Sequence, residues 1–270
     1  DLGLILENEP ENVMLDLWHA INQKLIIEEQ NGYRFLHDKI QQAAYDSLPK
    51  KAKTHHLIAE NFLENYGKER LLEIVDHINN SEPIIREEAK RHEYAELNLQ
   101  AIREAAKNSA FEDALKYARF GMKFLSKNYW QNDYDLSFKL YIALVELEQI
   151  AANWEKVEEL FNYILENVRK KEDRIKVYIK KIYFYTITNQ PQKAIKIGFL
   201  SLSELGVNCN LRFLKIRNFW EYCKLKILLW KKNLDNLLEM PEIEDSEKLL
   251  ILDICSKLKS VAWQTDLDLY

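Results

Sequence analysis

A chain of 270 residues that is 47% hydrophobic and 30% charged can bury a substantial core, as one elongated domain or about two compact ones. Only six glycines and five prolines are present, too few for a many-stranded sheet, so we expect an all-α protein. A net charge of -5 offers no overall attraction to nucleic acid or anionic membrane, and no apolar run reaches the roughly 20 residues of a membrane span. We therefore expect a cytoplasmic protein, and the initial Asp predicts a piece of a longer polypeptide.

The first predicted unit is a helix followed by a hairpin. An apolar stripe at helical spacing, Met14, Leu17, Trp18 and Ile21, indicates the helix. Asn31-Gly32 predicts a two-residue hairpin loop, because both residues tolerate positive φ, and it joins two predicted strands. These strands are Leu25 to Glu29 and Tyr33 to Leu36.

A second helix follows the hairpin, with Asp38 placed to cap it and Pro49 where it should stop. Its apolar residues recur at helical spacing, at Ile40, Ala43, Ala44 and Leu48. The order helix, hairpin, helix is typical of the latter part of a winged-helix domain, which we assign to residues 1–48.

Connecting helices are predicted over residues 49–83. One carries the stripe Ala59, Phe62, Leu63 and Tyr66 and ends at Gly67, a typical C-cap residue. A short apolar helix from Leu71 to Ile78 follows. Asn79, Asn80, Ser81 and Pro83 then supply a breaker, which is the best internal boundary.

Residues 84–206 read as degenerate helix pairs in which three second helices begin alike, at SAFEDALKYARFG, AANWEKVEELFNY and TNQPQKAIKIGFL. The interval of about 40 residues exceeds the ~34 of a tetratricopeptide unit. A helix pair cannot bury its apolar face alone, so we expect a tetratricopeptide-like α-solenoid, a right-handed superhelix with a concave surface. The aligned packing positions are Phe111, Trp154 and Pro191; Ala114, Val157 and Ala194; and Ala118, Phe161 and Gly198.

The first helix of each pair carries its own apolar stripe. The three stripes are Tyr94, Leu97, Ala101 and Ala105; Leu136, Leu140, Leu144 and Leu147; and Ile175, Tyr178, Ile179 and Ile182. Residues 207–270 form a C-terminal helical extension, with a basic, aromatic helix predicted over 211–232 and another over 248–263. Cations and aromatics lie on several sides of the basic helix, so we favour a packed helix over a membrane or nucleic-acid surface.

The motifs of catalysis and metal binding are missing. There is no G-x-x-x-x-G-K-[ST] loop, and the three cysteines, Cys209, Cys223 and Cys255, lie far apart. Adjacent His55 and His56 would point about 100° apart on a helix and cannot chelate one metal. His77 is predicted as a packing histidine and His92, although followed by Glu93, as a surface histidine.

The stretches FLHDKIQQAAY, AELNLQAIREAAKNSAFEDALKYARFGMKFL, SELGV and DNLLEMPEIED, taken together, resemble the region that follows the ATPase module in very large bacterial signalling proteins. Those proteins carry a Ser/Thr kinase domain, a signal-transducing ATPase, a helical region, a GAF domain and a sensor histidine kinase. The resemblance implies a scaffold and regulatory segment without a catalytic site. ATP, ADP and Mg would bind elsewhere in the parent protein.

The same resemblance implies a role for the segment Leu36-His37-Asp38. In related ATPases the winged-helix histidine approaches the β-phosphate of ADP bound to the preceding domain, so His37 and Asp38 would sense its nucleotide state. Leu36 stands where some relatives have Met. A second interpretation of His37 is a simple helix-entry residue.

Three functions are therefore compared. The first is a regulatory module whose partners are the upstream ATPase domain, downstream signalling domains, and a protein or peptide on the concave repeat surface. The second is a ligand- or protein-sensing domain of an ATPase-type transcriptional activator, with a crevice lined by aromatics such as Trp130, Trp154 and Tyr178. The third is DNA binding by the winged helix, which the acidic residues 1–30 oppose because phosphates would be repelled.

Overall fold

The structure is a computed structural model that describes residues 10–30, 32–207, 221–224, 226–227 and 243–265. Helices account for most of this part of the chain, and a two-stranded antiparallel hairpin is the one sheet in it. The all-α expectation with one small hairpin is confirmed. The chain divides into two compact units, residues 1–151 and residues 152–270.

The first unit contains the hairpin, two 3₁₀ turns and eight helices among the described residues. The helices are α1 (Pro10–Asn22), α2 (Asp38–Ser47), α3 (Lys51–Tyr66), α4 (Leu71–Ser81), α5 (Glu88–Lys107), α6 (Phe111–Phe124), α7 (Tyr129–Asn132) and α8 (Tyr134–Ile150). The strands are β1 (Ile26–Glu29) and β2 (Gly32–Phe35), and the 3₁₀ turns are Gly67–Arg70 and Glu82–Ile84. The second unit contains α9 (Trp154–Asn167), α10 (Lys171–Ile187), α11 (Pro191–Glu204) and α12 (Ser246–Thr265).

The hairpin has a different register from the predicted one. Gly32 pairs with Glu29 and so belongs to β2, with a φ of 151°, whereas the prediction placed it in the loop. Asn31 lies outside the described residues. The predicted cap of α2 is also one residue late, because His37 has the extended backbone of an N-cap and Asp38 is already helical.

The helix predicted from the apolar stripe of Met14, Leu17, Trp18 and Ile21 is present as α1. Met14 and Trp18 are exposed, and Val13 is the buried residue of this helix. The helix predicted from the spacing of Ile40, Ala43, Ala44 and Leu48 is present as α2, and it has no buried residue. Helix α1 packs on β1 and α2 packs on β2, while part of the apolar face of each helix stays exposed.

The core of the first unit lies in the packing of α3 on α4, α4 on α5, α5 on α6, and α6 on α8. The first two predicted repeat stripes, on α5 and α8, are buried throughout, as expected. Gly67 caps α3 with a φ of 52°, and its N–H bonds to the carbonyl of Leu63. Because α4 packs on α5, residues before and after the breaker at Pro83 belong to one compact body.

In the second unit α10 packs on α9, α11 and α12. Its predicted stripe is buried, and α12 confirms the helix predicted over 248–263. Pro191 occupies the first turn of α11, where its missing N–H costs nothing. The structure describes residues 221–224 and 226–227 of the basic helix predicted over 211–232, and these residues are helical. The rest of that predicted helix and Cys209 lie outside the described residues.

Candidate functional site

The predicted sensor residues lie together at the start of α2, directly after the hairpin. The carbonyl of His37 accepts hydrogen bonds from the N–H groups of Ile40 and Gln41, at 2.9 and 3.2 Å, so His37 fixes the first turn with its backbone. Its side chain makes no capping bond, and both His37 and Asp38 are exposed. A ligand or domain that approaches this end of α2 would therefore meet an imidazole and a carboxylate.

Helix α2 packs on strand β2 and leaves much of its apolar surface exposed. A cleft of about 520 Å³ lies along it. The cleft is lined by Phe35, Gln41, Gln42, Ala44, Tyr45 and Leu48. Together with exposed Trp18 and Met14 on α1, this leaves the N-terminal segment with several uncovered apolar side chains.

Polar contacts at the C-terminal end of α2 link it to α3. Tyr45 Oη lies 3.0 Å from His55 Nε2, and Lys51 pairs with Asp46 at 3.1 Å while its Nζ lies 4.5 Å from the centre of the Tyr45 ring. From α3 the chain of bonds continues to α4, because His55 Nδ1 lies 2.7 Å from His77 Nδ1. These contacts connect three successive helices.

Sequence reasoning missed this chain of bonds. His55 and His77 are 22 positions apart on two helices, and the positions carry no motif that would pair them. Burial lowers the pKa of both imidazoles, and His55 lowers that of His77 further. His77 is a packing histidine as predicted, since its ring also contacts Phe62 edge-on at 6.0 Å.

The predicted repeat positions fall into two groups. Six are buried: Ala114, Ala118, Val157, Phe161, Ala194 and Gly198. Phe111 and Trp154 are the first residues of α6 and α9, and remain 39% and 42% exposed. The Trp154 ring still reaches that of Phe184, 6.2 Å away, so it covers the end of the core in the second unit.

Small residues permit close helix contacts, as predicted. A Cβ at Gly198 would lie 2.4 Å from Leu258 Cδ2 and 2.8 Å from its Cγ, so α11 and α12 approach most closely there. Gly121 plays a similar part on α6, where a Cβ would lie 2.9 Å from Leu140 Cδ2. Gly121 and Gly198 are therefore packing residues without a reactive group.

Several buried polar side chains are paired between helices. Asn79 and Asn98 exchange two amide hydrogen bonds, of 3.0 and 2.9 Å, between α4 and α5. Arg119 pairs with the buried carboxylate of Glu148 at 2.9 Å. Lys181 donates to Asn162 Oδ1 at 2.7 Å, and burial lowers the pKa of its amine.

The remaining histidines offer no metal site. His92 is an exposed residue of α5, as predicted, and its Nδ1 lies 3.0 Å from Asp133. Within the described ranges no three His, Cys, Asp or Glu side chains come together as metal ligands. Among those same residues, no helix has the length and apolarity that crossing a bilayer requires.

Of the three aromatics proposed to line a ligand crevice, Trp130 and Tyr178 are buried in helix contacts. Trp130 stacks on Tyr141 with 5.3 Å between ring centres, and Tyr178 donates to Glu204 at 3.1 Å. The three residues also fall in both compact units, Trp130 in the first and the other two in the second. These positions favour core packing for Trp130 and Tyr178.

Comparison with known proteins yields one partial similarity. Over 217 residues, 69% of this chain, it is 22% identical to hybrid signal transduction histidine kinase G of Dictyostelium discoideum. The chain spans only 6% of the length of that protein. No family model and no solved structure matches the chain.

Proposed function

We propose that this chain is a regulatory helical-repeat segment of a multidomain signal-transduction protein. In this role it couples the nucleotide state of a neighbouring ATPase domain to partner or effector domains. The partial similarity to a hybrid histidine kinase supports the signalling context, because it extends over 69% of the chain. The resemblance of FLHDKIQQAAY and the later stretches to the segment behind signalling ATPases supports the same assignment.

The single observation that carries the proposal is the placement of His37 and Asp38. Both side chains are exposed at the N-terminal end of α2, beside backbone N–H groups that carry the positive end of the helix dipole. An imidazole N–H can donate a hydrogen bond to a phosphate oxygen of a nucleotide held by another domain. The hydrogen bond from the imidazole would form with one nucleotide state of that domain and not with the other.

The exposed apolar surface of α1 and α2 supports the proposed neighbour. Trp18, Met14 and Leu15 are each more than half exposed, and α2 has no buried residue. Side chains of this kind become buried when a second domain packs on them. The proposal therefore assigns this surface to the ATPase domain.

The repeats would provide the surface for partners. Helices α5, α8 and α10 bury one face each, while exposed Tyr183 and Ile187 on α10 leave apolar groups for contact with protein. Solenoids of helix pairs commonly bind proteins or peptides along an extended surface. In the proposal, a shift of α2 reaches the repeats of the first unit through α3 and α4.

The test begins with calorimetry of the 270-residue chain against MgATP and MgADP. The proposal predicts no heat of binding with either nucleotide, since the nucleotide site belongs to another domain. A micromolar affinity for ATP would contradict it. A salt-dependent gel shift with duplex DNA would instead favour winged-helix DNA binding.

The sensor residues are tested in the full-length protein. His37→Ala should alter retention of ADP by the ATPase domain, whereas His92→Ala, which changes another exposed histidine, on α5, should leave it unchanged. Equal behaviour of the two variants would favour the helix-entry interpretation of His37. The ligand-sensing alternative gains no support from Trp130 and Tyr178, which are buried.

A further inference from the structure

Helix α2 has no buried residue and is therefore held by few contacts. At its N-terminal side it packs on β2. At its C-terminal end the contacts to the following helices are polar: Tyr45 with His55, and Asp46 with Lys51. Since so little surface anchors α2, each of these polar contacts carries a large share of the energy that fixes its position.

The contact between Tyr45 and His55 does not stand alone. His55 uses its second ring nitrogen, Nδ1, to bond to Nδ1 of His77, and the two ring centres lie 4.9 Å apart. In the neutral state either ring can donate the shared proton. The free nitrogen of His55 then accepts from, or donates to, the Tyr45 hydroxyl, so the three side chains form one continuous chain of bonds.

We propose that Tyr45, His55 and His77 form a pH-sensitive latch, which holds α2 on the α3–α4 pair and opens when both histidines are protonated. A single added proton leaves the bonds intact, because one imidazolium can still donate to a neutral imidazole. Two imidazolium rings would bring two Nδ1–H groups and two positive charges together at 2.7 Å. The His55–His77 bond cannot survive this state, and the His55 ring that is repelled by His77 moves out of its position against Tyr45, which releases α2.

Glu73 and Asp76 of α4 raise the pKa of His77, but burial and the neighbouring His55 outweigh them. Every neighbouring carboxylate already has its own cation. The pairs are Asp46 of α2 with Lys51 of α3, Glu73 of α4 with Arg70 of the 3₁₀ turn, and Asp76 of α4 with Lys116 of α6. Burial therefore dominates, and the pKa of each histidine lies below its usual value of 6.5.

The direction of the pH effect follows from these shifts. A base whose pKa is lower in the folded state is stabilising when neutral, so the latch is fully closed above pH 6.5. Its contribution is lost as the pH falls below 6.5 toward the lowered pKa values. The site thus adds acid sensitivity to the segment that carries His37 and Asp38, whether or not those residues sense a nucleotide.

Hydrogen exchange of the 270-residue chain tests the latch, with peptides from residues 38–47 compared at pH 7.5 and 5.5. Exchange times are scaled for the intrinsic rate at each pH, and peptides from α5 serve as the internal reference. Tyr45→Phe removes only the hydroxyl and should lower protection of α2 about two- to tenfold at pH 7.5, the range expected for one hydrogen bond. It should also abolish the difference between the two pH values.

Tyr33→Phe is the matched control, since Tyr33 on β2 is 38% exposed and Tyr45 is 37% exposed. It should leave the protection of α2 unchanged. His77→Gln should keep α2 protected at both pH values, because an amide can bond to His55 but does not titrate. Unchanged protection in Tyr45→Phe, or a wild-type pH response in His77→Gln, would overturn the proposal.

Nitrogen-15 NMR of the histidine rings in the unmodified chain provides a test that needs no variant. His55 and His77 should titrate below pH 6.5, and the protonation of one should shift the signals of the other. Two independent titrations near pH 6.5 would also overturn the latch.

Discussion

Replacing Asn98 by alanine is expected to lower the free energy of unfolding by about 3 to 5 kcal/mol. Asn98 and Asn79 are 0% and 3% exposed, and their amides exchange hydrogen bonds of 2.9 and 3.0 Å between α5 and α4. The variant loses both bonds, at about 1 kcal/mol each, and leaves the Asn79 amide buried without them, a penalty of about 1 to 3 kcal/mol. The loss of side-chain volume adds to the cost.

Urea unfolding followed by circular dichroism measures this loss, with hydrogen exchange in α4 and α5 to locate it. Asn80→Ala is the control, because Asn80 is an exposed neighbour whose amide bonds to the carbonyl of Asp76, and its cost should stay within about 0.5 kcal/mol. The double variant Asn79→Ala/Asn98→Ala should cost less than the sum of the two single variants, since no orphaned amide remains. If Asn98→Ala unfolds at the wild-type urea midpoint, the reciprocal pair does not exist in solution.

Three further predictions concern the repeats and α12. Gly198→Ala should destabilise the second unit by about 1 kcal/mol, because overpacking against Leu258 outweighs the gain in helix propensity. Adding Leu258→Ala should relieve the overpacking, and urea unfolding measures the stability of both variants. Arg119→Ala should lower stability measurably, because it removes the cation that pairs with the carboxylate of Glu148, which is only 4% exposed. Asp245→Ala should reduce hydrogen-exchange protection at the start of α12, because the Asp245 carboxylate accepts a hydrogen bond from the backbone N–H of Lys248. This bond lowers the pKa of the carboxyl, so acid should reduce the same protection below pH 3.8.

Two of these predictions have a control variant. Lys156→Ala breaks an ion pair with Glu159 in which both side chains are more than half exposed, so it should change stability by under about 0.5 kcal/mol. Glu244→Ala, one residue before the cap, should leave the exchange of α12 unchanged. If Gly198→Ala stabilised the protein, as at an exposed helix position, the close approach of Leu258 would be wrong.

The repeats could be predicted because their physical signal is local. A face that must be buried repeats every three to four residues, and the stripes on α5, α8 and α10 are buried as predicted. The same spacing predicted α1 and α2, but Met14 and Trp18 on α1 are exposed and α2 has no buried residue. Periodicity identifies an apolar face but carries no information on whether the covering partner belongs to the same segment.

Other features escaped prediction because they depend on exact register or on pairs distant in sequence. The hairpin differs by one position, since Gly32 pairs with Glu29 instead of turning the chain. The contact between His55 and His77 depends on how α3 and α4 pack, which neither sequence position specifies. The winged-helix fold of residues 1–48, the hand of the superhelix and the division at residue 83 stay predictions.

The central claim is that the segment beginning at His37 and Asp38 passes the nucleotide state of a neighbouring domain to the helical repeats. Hydrogen exchange of the full-length protein with MgADP and with MgATP tests it most directly, in peptides from residues 88–204. The account predicts a difference between the two nucleotides that disappears in His37→Ala and persists in His92→Ala. Identical exchange with both nucleotides, or a difference that His37→Ala leaves intact, would contradict it.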